Sequence, residues 1–263
     1  MMKNIRILAQ PSETYLLTKK SSAKCTDCAI RRACIPSDLT SLALSHFEKS
    51  VSTAQSLLRA TTLYRSGDTF VNLYAVRSGS FKTVTAQGNR HDQVVNLHLP
   101  GDVLGVEGIL TGILPNTVVA LEDSSVCAIS YKILKALCQE NDDIQSRTHK
   151  LMSERIRQES IRSKLLGSIR AEQRVAEFLL DMSNRSLALG YSPHAFAIRM
   201  SRDEIGSYLG IRLETVSRVF SRFHRSGFVS ISGKNITIRS MSELHDIAET
   251  AISTGPSARN LQK

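Results

Sequence analysis

The sequence predicts an α+β chain: an N-terminal β-roll of jelly-roll type, one long helix, and a C-terminal winged helix-turn-helix. Short apolar runs broken by glycine turns fill roughly residues 57–130, the pattern of an all-β roll. A charge-rich helical pattern replaces them from Tyr131 to about Leu166. Met200 to Phe223 then carries a cap, a turn glycine and an apolar inner stripe in helix-turn-helix order. The divisions that follow are 1–40 for a cysteine-bearing segment, 41–135 for the roll, 136–167 for the long helix, 168–245 for the winged helix and 246–263 for a tail.

Residues 1–40 show little periodicity and hold Cys25-Thr-Asp-Cys28-Ala-Ile-Arg-Arg-Ala-Cys34. The C-x2-C-x5-C spacing bends a short segment so that three sulfurs converge on one centre, and ordering of the segment is expected to need a ligand. The chain has five cysteines, an odd number. No run approaches the roughly 18 apolar residues of a membrane span, and the apolar core after Met1 is too short for a signal peptide, so a cytoplasmic protein is expected. In that reducing compartment clustered thiols hold a metal or react more often than they form structural bridges.

The roll is read from runs such as Leu73-Tyr74-Ala75-Val76, Val94-Val95-Asn96-Leu97 and Val126-Cys127-Ala128-Ile129, with turns at Gly67-Asp68, Gly79 and Pro100-Gly101-Asp102. On the long helix, Met152, Ile156, Glu159, Ser163 and Leu166 recur with the 3.5-residue period of a two-stranded coiled coil. Such a seam predicts a homodimer, with Glu159 set to repel its own copy across the axis. A helix packed on its own roll with Glu159 turned to water is the alternative.

A helix over 168–188 carries Val175, Phe178, Leu179 and Met182 as an apolar stripe. In the helix-turn-helix, Ser201 and Glu204 form a capping box, Ile205 and Leu209 face inward, and Gly210 allows the turn. The second helix starts near Leu213 and turns Val216, Val219, Phe220 and Phe223 inward. Glu214, Ser217 and Arg218, at i, i+3 and i+4, then project from one side near its start, where a major-groove reader meets base edges. Arg218 suits guanine, Glu214 suits cytosine N4 and Ser217 suits thymine or phosphate. A surface ion pair between Glu214 and Arg218 is the plain alternative. Phe228 to Arg239 reads as a hairpin turning near Gly233, and Arg199, Arg222, Arg225 and Lys234 are expected beside phosphates. Charge agrees: the net charge is +10, and residues 144–239 hold 17 Lys plus Arg against 8 Asp plus Glu.

In this order the elements resemble the CRP/FNR superfamily of bacterial transcription regulators over nearly the whole length. The cysteine spacing, a further cysteine late in the roll and the Glu-x-x-Ser-Arg motif point to its FNR branch. The resemblance implies a cyclic-nucleotide-binding-like sensor roll, a dimerisation helix and double-stranded DNA as partner. It implies an oxygen-labile 4Fe-4S cluster on Cys25, Cys28, Cys34 and Cys127, with Glu159 as the repelling residue of the dimer. It further implies a palindromic TTGAT-type site read by Glu214, Ser217 and Arg218, and RNA polymerase contacts at Ser78 and the Ala86-Gln87-Gly88 turn. Cys138 has no counterpart and reads as an inert buried thiol. Where a cyclic-nucleotide sensor of the superfamily carries Arg-Ser, this chain has Asn116-Thr117, so no cyclic nucleotide is expected.

A structural zinc site on four cysteines, with another effector, is the alternative to the cluster. Zinc favours two close pairs of ligands, whereas here three crowd together and the fourth is remote. An enzyme is not expected: no Walker loop, GxSxG elbow or HExxH is present, and His91 and His98 lack the spacing of a cupin metal site.

Overall fold

The computed structural model describes residues 18–21, 24–87, 90–167 and 170–249. Strand β1, Thr18–Ser21, is followed by a 3-10 turn at Arg31–Ala33 and helix α1, Ser41–Glu48, whose start is capped by Thr40 Oγ1 accepting from Ala43 N. Then come β2 Val51–Leu57, β3 Thr62–Tyr64, β4 Asn72–Ser78, β5 Phe81–Gln87, β6 Arg90–His98, β7 Val103–Leu104, the short α2 Gly108–Thr111, β8 Thr117–Ala120 and β9 Ser124–Ser130. Two antiparallel sheets result, in the orders β1-β2-β9-β4-β7 and β3-β8-β5-β6. Leu57, Val76 and Val126 of one sheet share a buried cluster with Phe81, Val118 and Ala120 of the other, which is the interior of the roll.

A second core lies outside the first sheet. Cys34, Ile35 and Leu39 pack there with Phe47 of α1, Leu73 and Ile129 of the sheet, and Leu134 and Ile144 beyond it. The segment before residue 40, expected to depend on a ligand for its order, thus owns part of a hydrophobic core.

The stretch after Ser130 is two helices rather than one: α3, Tyr131–Glu140, and α4, Asp142–Gly167. Asn141 between them is extended, and its Oδ1 accepts from Ile144 N at 3.1 Å, so it caps the second helix. Asp142 and Asp143 then occupy the first turn of α4, where the helix dipole favours carboxylates.

Helix α5, Ala171–Ala188, buries Val175, Phe178, Leu179 and Met182 as the stripe predicts. Strand β10, Ala195–Ala197, precedes α6, Arg202–Leu209, and α7, Leu213–Arg225; β11, Val229–Ser232, and β12, Asn235–Ile238, form the wing. The wing sheet has three strands, ordered β10-β12-β11, where the sequence predicted a hairpin. Helix α8, Met241–Glu249, buries Leu244 and Ala248, so this domain runs past residue 245. The rest of the expected tail lies outside the described residues.

One core joins the two halves. Val84, Val94, Leu97 and Leu121 of the roll belong to the same buried cluster as Val175, Ile205, Val216 and Phe220 of the winged helix.

Candidate nucleic-acid interface and thiol centre

Helices α6 and α7 are positioned by local chemistry. Ser201 Oγ accepts from Glu204 N at 3.1 Å, and Glu204 Oε2 accepts from Ser201 N at 2.6 Å, completing the capping box. Gly210 closes α6 in the left-handed region at φ 63°, and Arg174 donates to the carbonyls of Leu209 and Gly210 at 2.9 and 3.2 Å. Val216, Val219, Phe220 and Phe223 are buried, and the Arg202 guanidinium lies 3.6 Å from the Phe220 ring centroid.

Glu214 and Arg218 are exposed on the opposite face and Ser217 is half-buried. Among the described residues no ion pair joins Glu214 to Arg218; Arg218 Nη2 instead makes a long 3.4 Å contact to Thr215 Oγ1. Both charged heads remain presented to solvent. Arg212, the exposed residue at the N-cap of α7, is a further cation at the reading end that sequence reasoning passed over. Its place directly before Leu213 was the available signal.

Three of the four cations expected beside phosphates are engaged within the chain, and the fourth, Arg225, is exposed. Arg199 Nε pairs with Glu122 Oε2 of the roll at 2.8 Å, and Arg222 pairs with Glu172 of α5. Lys234 Nζ donates to the carbonyls of Arg199 and Met200 at 2.9 and 2.8 Å. Partial burial lowers the Lys234 pKa. Any phosphate contact by these three exchanges an existing partner for the nucleic acid.

Successive turns wind the cysteine segment: Cys28 N donates to Cys25 O, Arg31 N to Cys28 O, Cys34 N to Arg31 O and Ser37 N to Cys34 O. Cys127 enters from β9, between Ala54 of β2 and Ala75 of β4. The fold brings the four sulfurs within electrostatic reach. Burial, then the charge of Cys127, pushes the Cys25 thiol up to about 12. Burial above all does the same for Cys34, also to about 12, with Cys25, Cys127 and Cys28 adding to it. Cys127 is raised by burial and by Cys28. Among the described residues no three His, Cys, Asp or Glu converge on the position of a single metal ion. Cys138 stands apart, its sulfur 3.5 Å from Thr148 Oγ1.

Arg147 of α4 was not foreseen. Its Nε donates to Ile35 O at 2.9 Å and its Nη2 to Cys34 O at 3.1 Å, tying the long helix to the cysteine segment.

On the outer side of α4, Ile156 is 68% exposed, Glu159 and Ser163 are exposed, Leu166 is 36% exposed and Met152 is half-buried. Glu159 is not alone: its Oε1 accepts from Asn96 Nδ2 of β6 at 2.9 Å, and Arg155 and Arg162 lie 3.5 and 3.8 Å away. Ser78 is exposed and shares a 2.7 Å hydrogen bond with Ser125; Gln87 ends β5, and Gly88 lies outside the described residues. Asn116 Oδ1 accepts from Thr85 Oγ1 at 2.6 Å and Thr117 Oγ1 accepts from Ser66 N at 3.0 Å, so both side chains serve the roll's own structure.

A winged helix seated on a β-roll, with an exposed polar face on α7 and a long helix between, defines a DNA-binding regulator. Residues 173–247 match the Crp-like helix-turn-helix domain, and residues 54–141 match the cyclic nucleotide-binding domain. The transcriptional activator protein anr of Pseudomonas aeruginosa is 36% identical over 237 residues, which are 90% of this chain and 97% of that protein. The fumarate and nitrate reduction regulatory protein of Escherichia coli (strain K12) is 36% identical over 226 residues, 85% of this chain and 90% of that protein. The structure of FixK2 from Bradyrhizobium japonicum superposes with a TM-score of 0.68 at 30% identity, covering 75% of this chain and 97% of FixK2. The chain belongs to the CRP/FNR family of transcription regulators, whose members are not enzymes. No helix among the described residues is long and apolar enough to cross a membrane.

Proposed function

We propose that this regulator is oxygen-responsive: Cys25, Cys28, Cys34 and Cys127 hold a 4Fe-4S cluster, and the ligated chain dimerises on α4 and binds palindromic TTGAT-type promoter sites. The observation that carries the reading is the gathering of four thiols, three on one tightly turned segment and one from the middle of β9, with Cys28 and Cys127 each acting electrostatically on Cys25 and Cys34. A structural zinc site favours two close pairs of ligands, whereas three of these thiols share one segment and the fourth comes from β9, a donor set suited to a multi-iron unit. When bound, the cluster supplies an oxidisable inorganic core whose positive charge stabilises its thiolate ligands.

The chain's own residues then have defined tasks. Arg147 holds the carbonyls of Cys34 and Ile35, so order in the cysteine segment bears on α4. Ile156, exposed in one chain, is the apolar contact offered to a second copy, with Met152, Ser163 and Leu166 beside it. Glu159, half satisfied by Asn96 and two arginines, keeps that association weak. Arg218 and Glu214 read base edges, Ser217 lies between them, and Arg199, Arg222 and Lys234 take phosphates on docking. Ser78 and Gln87, with Gly88 after it, form the surface offered to RNA polymerase. Asn116 and Thr117 stand where a cyclic-nucleotide sensor carries Arg-Ser, and both side chains bond within the roll, so control of anaerobic gene expression is assigned to the thiol centre rather than to a nucleotide.

Protein purified without oxygen is expected to be straw to brown, to contain iron and labile sulfide, and to shift a TTGAT palindrome in a gel, with all three lost in air. Retained DNA binding after exposure removes the oxygen-sensing claim, and colourless anoxic protein containing zinc removes the cluster.

A further inference from the structure

We propose that the Pro100-Gly101-Asp102 turn relays the state of the cysteine segment to the winged helix inside one protomer, through Arg185 on α5. This rests on the thiol-centre reading above and adds a route that does not pass through the dimer seam.

The turn touches the segment backbone to backbone. Gly101 has φ 94°, and a Cβ built there would lie 2.5 Å from the carbonyl oxygen of Ala33, the residue before Cys34. A displacement of Ala33 is therefore met directly by the turn, with no flexible side chain between to absorb it. One residue on, Asp102 Oδ2 accepts from Leu99 N at 2.9 Å, closing the turn, and the same carboxylate pairs with Arg185. Arg185 Nη1 also donates to Leu97 O at 3.3 Å, and Asp181 lies one helical turn away at 3.7 Å. The Arg185 and Asp102 side chains are only 20% and 19% exposed, so the pair is weakly screened. The winged helix has no independent seat, because its core continues into the roll at Val94, Leu97 and Leu121. Its pose depends on contacts such as this one.

Coupling between two sites requires a contact that differs between two states. Among the described residues the other polar links from roll to winged helix, Lys82 to Glu204 at 2.6 Å, Arg199 to Glu122 at 2.8 Å and Val94 N to Ser207 Oγ at 2.8 Å, have no cysteine-segment partner. The link from Asp102 to Arg185 has one, at Gly101. Release of the thiolates from ligation frees Ala33 to move, and Asp102 then holds Arg185 differently.

The test uses full-length Asp102→Asn, which keeps an acceptor for Leu99 N but loses the charge facing Arg185. Arg185→Gln breaks the same pair from the far side and guards against a folding effect at the turn. Iron and sulfide per chain, dimer mass, and affinity for a TTGAT palindrome are measured before and after air, with hydrogen exchange followed in both states. Both variants are expected to match wild type in iron, sulfide and anoxic dimer mass, while the ratio of anoxic to aerobic DNA affinity falls by at least about fivefold, the low end of ordinary allosteric coupling. Wild-type protection gained on loading should extend from residues 99–103 into α5, and in the variants it should stop at the turn. An unchanged affinity ratio with protection reaching α5 overturns the relay alone. An equal fall in Lys82→Gln also overturns it, since the effect then belongs to docking in general. Wild type without iron and sulfide overturns the thiol-centre reading, and the relay with it.

Discussion

Arg218 sits one turn into α7 with its guanidinium in solvent and only a 3.4 Å contact to Thr215. A bidentate bond from such an arginine to guanine carries about 1 to 3 kcal/mol of discrimination. Arg218→Ala is therefore expected to weaken binding to the palindrome by that amount and binding to random DNA very little; an equal loss on both sequences in a titration assigns Arg218 to phosphate. The crowding of Cys25, Cys28 and Cys34 was legible for a similar reason, because residue type and spacing carry it, whereas Cys127 had no spacing to mark it. Arg147 was not legible, since its partners are the carbonyls of Cys34 and Ile35, and a carbonyl has no signature in a sequence. Arg147→Ala should lower the stability of the apo-protein by about 1 to 3 kcal/mol, read as a lower urea midpoint at unchanged slope. An unmoved midpoint shows that water replaces the guanidinium there. The existing partners of Arg199 and Lys234 were not legible either, since counting cations could not reveal Glu122 or the backbone carbonyls that already hold them.

At the scale of elements, α6 and α7 were readable to within a residue because a capping box, a left-handed glycine and a period of buried residues all agree. The break between α3 and α4 was not, because Asn141-Asp142-Asp143 looks the same on a polar helix surface as at a cap until the Asn141 side chain is seen to accept from Ile144 N. Strand β10 escaped because three residues of Ala-Phe-Ala carry no alternation, and only pairing with β12 defines them. The heptad spacing on α4 was legible in the sequence, but the surroundings of Glu159 change the weight of a seam there. Two like carboxylates about 4 Å apart repel by roughly 1 kcal/mol in water and more when desolvated, and here Arg155 and Arg162 partly neutralise each one. Glu159→Ala is thus expected to tighten the aerobic dimer by about 1 kcal/mol, close to fivefold in dissociation constant, as seen by sedimentation. A variant that stays monomeric to the same concentration as wild type places Glu159 off the seam.

The molecule as a whole is held as one body by a core that crosses from roll to winged helix, and that crossing was invisible in sequence because Val94 and Leu97 read there as ordinary strand residues. His98 of β6 lies near this crossing, 1% exposed, with Nε2 bonded to Thr83 Oγ1 at 2.7 Å and Nδ1 without a partner. Burial, then the charges of Arg155 and Arg185, hold its pKa well below 6.5. In the folded chain the ring is therefore neutral at a pH where the unfolded chain, titrating near the ordinary histidine value of about 6.5, binds a proton. Between those two values the unfolded state carries more protons, so stability rises with pH; the contribution is fully present above the unfolded pKa and is lost as pH falls below it. The limiting slope for one group is about 1.4 kcal/mol per pH unit. His98→Gln keeps a partner for Thr83 and removes the titration. Urea unfolding of both apo-proteins from pH 8 to 5 should give a wild-type minus variant difference that is flat above about pH 7 and falls steadily below about 6.5. A difference that stays level across the whole range would mean that His98 is protonated within the fold, and that the buried contact between the two halves tolerates a third positive charge beside Arg155 and Arg185.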